Sequence, residues 1–301
     1  METKQNGMNS YLKKLAAKKF IRAYWLMLGL TVLIPAQSAQ IEPILPVLPA
    51  IPSGTFIAGS DKQERDYAYE LDAAAYGNTL THEQGWYENE RERATAETKA
   101  YRIMATPVTN QQYAVFVAAT KHRVPNVDRT TWNSYGLIHP FEETRRFVWR
   151  NGKPPQGREN HPVVLVNVAD AEAYASWLTQ VTGHTWRLPN ELEWEKASRG
   201  VDGQWFPWGN KFDAQRLNTA DKGFFDTVPV GQYLSGVSPL GMLDAAGQVY
   251  EWTATQSGEK RVVKGGSWDD KGCGVCRPAA RHTRPMQLKH ILIGFRLVRE
   301  P

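Results

Sequence analysis

The chain has 301 residues, enough for one large domain or two ordinary ones, and its 42% hydrophobic and 22% charged content excludes an intrinsically disordered protein. The net charge of +5 invites a polyanion partner, but residues 1–38 alone carry six Lys or Arg against one Glu. The remainder is formally neutral, so the charge balance implies no basic face on the body and gives no support to a nucleic-acid partner.

The basic head (Lys4 to Arg22) precedes an uncharged apolar run, Ala23 to Ala36, and then Gln37-Ser38-Ala39. The run is too short for a comfortable membrane span of about 20 apolar residues. Residues 1–38 therefore read as a secretory signal peptide, cleaved after Ser38 or Ala39, with an uncleaved N-terminal anchor as the alternative. Either implies export, to a bacterial periplasm, with membrane contact only through that segment if it is kept. No Cys follows the apolar run, so a lipoprotein anchor is not expected. Prolines at 43, 46, 49 and 52 make residues 39–52 an extended linker or surface strap, with the globular body, 53–301, beginning near Ile51.

Within the body, Gly54-Thr-Phe-Ile-Ala reads as a short strand, and residues 61–99, which lack a clear period, as an exposed excursion. Tyr101-Arg-Ile-Met reads as a strand. Thr109 is a good N-cap for a helix whose face carries Tyr113, Phe116 and Val117. Residues 121–160 read as loop and His161 to Val166 as a buried strand. A second helix starts at Asp170, and a third follows Pro189 with Asn190 as its cap. Beyond Gly200, Gly, Pro and Trp alternate and helical periodicity ends. The pattern is that of an α+β domain with few short helices, short strands and much irregular loop, in which scattered tryptophans plug the core.

The ordered succession Pro107-Val-Thr-Asn-Gln-Gln-Tyr, His161-Pro-Val-Val, Arg187-Leu-Pro-Asn-Glu-Leu-Glu-Trp-Glu, Pro207-Trp-Gly, Gly247-Gln-Val-Tyr-Glu-Trp, Gly265-Gly-Ser-Trp and Gly294-Phe-Arg resembles the formylglycine-generating enzyme family, or sulfatase-modifying factor domain. The resemblance spans about residues 51–298 and implies a fold related to C-type lectin-like domains. In that family the enzymes oxidise a cysteine of an unfolded sulfatase to formylglycine, using O₂ and a copper(I) held by two cysteines. These stand three and eight residues after the Ser of Gly-Gly-Ser. Counted from Ser267, the positions are Asp270 and Val275, whereas this chain places its cysteines at 273 and 276. The resemblance assigns catalytic-site positions to Ser267, Trp252 (a substrate-groove tryptophan) and Arg281, beside Cys273 and Cys276. It also implies a Ca²⁺ site from the carbonyls of Ala246, Gly247 and Val249 with the Glu251 carboxylate, and a second from Asn218, Thr219 and Asp221. The Glu191, Glu193 and Glu195 run falls on a helix that is structural in the family.

Three readings compete for Cys273 and Cys276: a disulfide, a soft-metal clip for copper(I), and a free or transient redox pair. His282 and His290, with Asp269 and Asp270, are candidates to join a metal there. The expected function is an exported maturation or tailoring factor acting oxidatively on a periplasmic protein or peptide-like substrate. The alternative is a non-catalytic, calcium-braced binding module that assists assembly of a periplasmic metalloenzyme such as a respiratory reductase.

Overall fold

The Pro-rich segment enters the body as a strap rather than leaving it as a linker. The computed structural model describes residues 42–301, so the signal segment lies outside the described residues. Val47 and Pro49 accept backbone hydrogen bonds from Ala105 and Ile103. Strand β1 (Ala50–Ile51) then pairs antiparallel with β4 (Tyr101–Ile103), and β10 (Val298–Arg299) pairs with the other edge of β4. Both ends of the described chain are thus fixed to one strand. With β5 (Trp186–Arg187) they make a sheet of order β1-β4-β10-β5.

A hairpin-like pair, β2 (Gly54–Ala58) with β3 (Ala94–Thr98), forms a second sheet. The third has order β8-β7-β6-β9, from β6 (Tyr250–Ser257), β7 (Lys260–Lys264), β8 (His282–Pro285) and β9 (Ile293–Gly294); β6 and β9 run parallel. The described residues form one compact unit, and no helix among them is long and apolar enough to cross a membrane.

Helix α3 (Asn110–Thr120) carries the predicted Thr109 cap, closed into a capping box by Gln112. Helix α6 (Glu191–Arg199) likewise carries the predicted Asn190 cap. In α5 (Val168–Thr182) the cap is Asn167, and Asp170 stands one turn in, returning the bond to the Asn167 N–H. Tyr113 and Phe116 of α3 pack on Tyr174 and Trp177 of α5, and Phe295 closes the cluster. Stacking at such distances adds roughly 0.5–1.5 kcal/mol per pair to the area buried.

Three expectations are corrected. Residues 61–99 contain a 15-residue helix, α1 (Lys62–Tyr76), with Asp61 as N-cap and Gly77 as C-cap, followed by the short α2 (Leu80–Glu83). Its buried face is Glu64, Ala68, Tyr69 and Asp72, so two carboxyls share the helix inside with two apolar residues and blur its hydrophobic period. Residues 121–160 include α4 (Arg129–Ser134) and a 3₁₀ turn, Phe141–Arg146. His161 to Val166 is buried but not a strand. Its amides reach separate segments, Val163 to Val108 and Leu165 to His290, and Leu165 takes φ 59°.

The interior is charged to an unusual degree. Glu64 meets Arg199 and Arg277, Arg277 also meets Glu90, and all four side chains are fully buried or nearly so. Arg199 further bonds Glu195, at i,i+4 on α6, which gives the glutamates of that helix a structural role.

Candidate functional site

The Gly-Gly-Ser loop follows β7 and turns back beneath α1. Ser267 is fully buried, and its N–H and hydroxyl both donate to Asp270 Oδ2 at 2.8 Å. Ser267 therefore aims Asp270 and is not itself within reach of a ligand. Tyr250, the first residue of β6, lines the same cavity wall as this carboxylate.

Asp270 and Tyr250 lie in the wall of a cavity of about 620 Å³. The turn at Trp86–Asn89, the loop Gly136–His139, and the segments around His282 and His290–Ile293 complete it. This volume suits a ligand of drug or short-peptide size. Burial pushes the Asp270 carboxyl up to about 6, against the hydrogen bonds from Ser267 that lower it. Burial and then nearby cations hold His282 and His290 down to about 3, so both imidazoles are neutral near pH 7. His290 Nδ1 accepts from the Leu292 N–H, while His282 Nε2 is buried without a partner. His139, between Asp269 and Glu143, goes the other way: the Asp269 carboxylate raises its pKa against the effect of burial. A carboxyl titrating near neutrality, a phenol and a neutral imidazole on one cavity wall can accept and return a proton.

The other expected site residues lie elsewhere. Alternation along β6 puts Tyr250 and Trp252 on one face, but Trp252 is fully buried and donates its indole N–H to Val166 O at 3.0 Å. It is a core residue, not a groove wall. Arg281 is bound to Glu191 Oε2 at 3.0 Å, with Arg91 on the other oxygen of the same carboxylate. That pairing anchors β8 to α6 outside the cavity.

Cys273 and Cys276 are joined in a disulfide and are fully buried in the main core. The loop packs so tightly that only glycine is tolerated at two points. A Cβ on Gly274 would meet the Tyr87 hydroxyl and Asp72, and one on Gly266 would meet Cys276 Sγ. Asp72 of α1 also accepts the Gly274 N–H at 3.1 Å. Sulfurs bonded to each other offer no thiolate pair, so these residues do not fit a copper(I) clip.

The calcium ligand set does not fit either. Glu251 Oε1 and Oε2 each lie 2.6 Å from Arg296, and Oε2 also accepts the Trp194 indole N–H at 2.8 Å. The carboxylate is spent on a buried cation. Gly247 is bridged directly to Asn218, whose carbonyl accepts the Gln248 N–H near Ala246 and Val249. The Thr219 hydroxyl donates to Asp221, and Asp221 accepts the Gly272 N–H. This second set ties the 218–221 loop to the cysteine loop. His282, His290, Asp269 and Asp270 share the cavity, yet no three acidic, His or Cys groups among the described residues converge as a metal requires.

Fold and cavity together define a loop-rich α+β scaffold with a ligand-sized cavity beside its Gly-Gly-Ser loop. Residues 46–301 match the sulfatase-modifying factor enzyme 1-like domain, and the chain belongs to that family. It is 31% identical over 229 residues to the inactive C-alpha-formylglycine-generating enzyme 2 of Bos taurus, covering 62% of this chain and 72% of the relative. With the formylglycine-generating enzyme of Streptomyces coelicolor it shares 29% over 258 residues, covering 67% and 79%. The structure of PvdO from Pseudomonas aeruginosa superposes with TM-score 0.63 at 22% identity, over 85% of this chain and 95% of that one, a likeness of fold.

Asp270 was legible in one respect, since it occupies the position of the first copper cysteine in the enzymes the chain resembles. Tyr250 and His139 carried no such signal. They reach the cavity only because β6 and the 136–139 loop are folded against the same loop.

Proposed function

We propose that the protein is an exported maturation or tailoring factor that acts oxidatively on a protein or peptide-like substrate held in the Asp270 cavity. The observation that carries this reading is the aspartate itself. At the point where related enzymes place a copper thiolate, this chain offers a carboxyl poised near neutral pH and opening onto a ligand-sized space. In the proposed step Asp270, held by Ser267, removes a proton from the bound substrate and raises its electron density. The substrate loses two electrons and two protons in all, and dioxygen is reduced to hydrogen peroxide. Export rests on the layout of residues 1–38.

The test is comparative mass spectrometry of periplasmic peptides from cells lacking the protein, incubated with purified wild type or Asp270→Asn in air. The expected result is a product 2 Da lighter than its substrate, with peroxide, formed at least about 100-fold more slowly by the variant. A product whose rate ignores Asp270 would refute the role given to it.

A second reading, a non-catalytic module that assists assembly of an exported metalloenzyme, is favoured by one observation. The chain's two cysteines, displaced from the oxidases' copper positions, form a buried disulfide and offer no free thiolates, and a mammalian relative is named inactive. It predicts no mass change and a partner whose capture survives Asp270→Asn.

A further inference from the structure

Beside the Asp270 cavity lies an open cleft of about 560 Å³, with His139 and Asp269 in the wall they share. Arg145, Arg146, Phe225 and Trp268 supply its other lining. Ten buried side-chain nitrogen or oxygen atoms among the described residues lack a hydrogen-bond partner, and three belong to this cleft: His139 Nε2, Arg146 Nε and Trp268 Nε1. Trp268 is 1% exposed and His139 9%, so neither can turn freely to water.

The three groups stand close together. The Trp268 ring centre is 6.2 Å from that of His139, and the Arg146 guanidinium carbon is 5.1 Å from the Trp268 ring. Trp268 is held in place by stacking on Phe147. The indole and guanidinium N–H groups donate only, and His139 donates from both nitrogens when charged. Each buried donor without an acceptor is destabilising by roughly 1–3 kcal/mol. The Trp268 and Arg146 donors, beside an imidazole whose Nε2 meets only the out-of-line Asp269 carboxylate at 3.2 Å, thus describe a place for acceptor oxygens.

Of the acids around the cleft, three are already engaged. Glu142 pairs with Arg129 at 2.6 Å and Glu143 with His139 Nδ1 at 3.0 Å. Asp226 is taken by Arg158 and lies 3.5 Å from Arg146 Nη1. Asp269 Oδ2 sits 3.2 Å from His139 Nε2 but out of line for a hydrogen bond. Arg145 is exposed on the rim and has no ion pair among the described residues. A planar anion with two acceptor atoms matches an indole N–H, an imidazolium and a guanidinium better than a spherical ion does.

We propose that this cleft binds a carboxylate of the ligand whose remainder lies in the Asp270 cavity. The choice of a peptide-like carboxylate rests on the function proposed above; the donor cluster does not. The test is a binding measurement without turnover, so its failure leaves the Asp270-dependent oxidation untouched. Indole ¹⁵N–H signals are followed while the full-length protein is titrated with acetyl-glycyl-glycine or its C-terminal amide. The Trp268 signal is assigned by its loss in Trp268→Phe, which keeps the ring stacked on Phe147. The acid should shift the Trp268 signal and bind at least about tenfold more tightly than the amide. Trp268→Phe and Arg146→Gln, each with an unchanged melting temperature, should weaken the acid by about fivefold or more. Equal binding of acid and amide, a Trp268 signal that does not move, or undiminished affinity in both variants would overturn the proposal.

Discussion

Asp270 is kept in a setting that opposes its charge, and that opposition is measurable apart from any activity. Its folded pKa of about 6 lies above the 3.8 of an unperturbed aspartate. Below about pH 4 the carboxyl is protonated in both states and the penalty is absent. Between these values the unfolded chain gives up the proton while the folded chain keeps it, so stability falls as pH rises through that window. Asp244, also pushed up to about 6 by burial, titrates in the same range, so the wild-type profile reads both groups. The difference between wild type and Asp270→Asn isolates one of them. The variant should be more stable than wild type by about 1–3 kcal/mol at pH 7 and no more stable at pH 3.5, measured by urea unfolding. A variant that is destabilised at pH 7 would mean that Asp270 is a structural residue. A stabilised variant that also loses turnover would show a site maintained against the interest of the fold.

At the scale of elements, the legible and the hidden parts divide by the range of the chemistry. The caps of α3 and α6 could be read because Thr109 with Gln112 and Asn190 with Glu193 satisfy the helix within four residues. Helix α1 could not, because the partners of its inner face, Arg199 and Arg277, lie 135 and 213 residues away. No window of sequence contains that pairing. It has a consequence: Glu64→Leu leaves two buried guanidiniums short of a carboxylate and should destabilise by about 3–5 kcal/mol in urea unfolding, far more than an exposed helix position would. The cysteine loop packed beneath α1 is a different case. Its disulfide closes a loop of only three residues' separation, so cross-linking entropy contributes only about 2 kcal/mol. Cys273→Ala with Cys276→Ala, which buries no new hydroxyl, should therefore lower stability by about 2–4 kcal/mol, the lost cross-link plus the emptied sulfur sites, and leave Asp270-dependent turnover in place. Turnover abolished in a folded double variant would return the cysteines to the chemistry.

For the molecule as a whole, the family and its loop-rich α+β architecture were readable from ordered short motifs, whereas the cavity was not, because its wall gathers residues from the 84–89 turn to the 282–293 segment. The boundary at the N-terminal end shows the same limit. Prolines at every third position describe a strap equally well whether or not it is fastened. Here it is fastened: Ile103 and Ala105 bond to Pro49 and Val47, Arg102 reaches Leu48 O at 3.1 Å, and the buried Lys196 ammonium donates to Pro52 O and Gly54 O at 2.8 Å. Ile51 is 1% exposed in the small core shared with Trp194 and Met242. A chain beginning at Gln40 should thus keep the full stability of the body, while one beginning at Gly54 loses those bonds and the Ile51 burial. The expected difference is about 3–6 kcal/mol, with the larger loss falling where Lys196 is left with a missing acceptor. Restoring a neutral side chain by Lys196→Met in the shorter chain should recover part of it, since the penalty of an under-satisfied buried ammonium disappears. If the two chains unfold at the same urea concentration, the strap is only draped over the surface and the body does begin near residue 53.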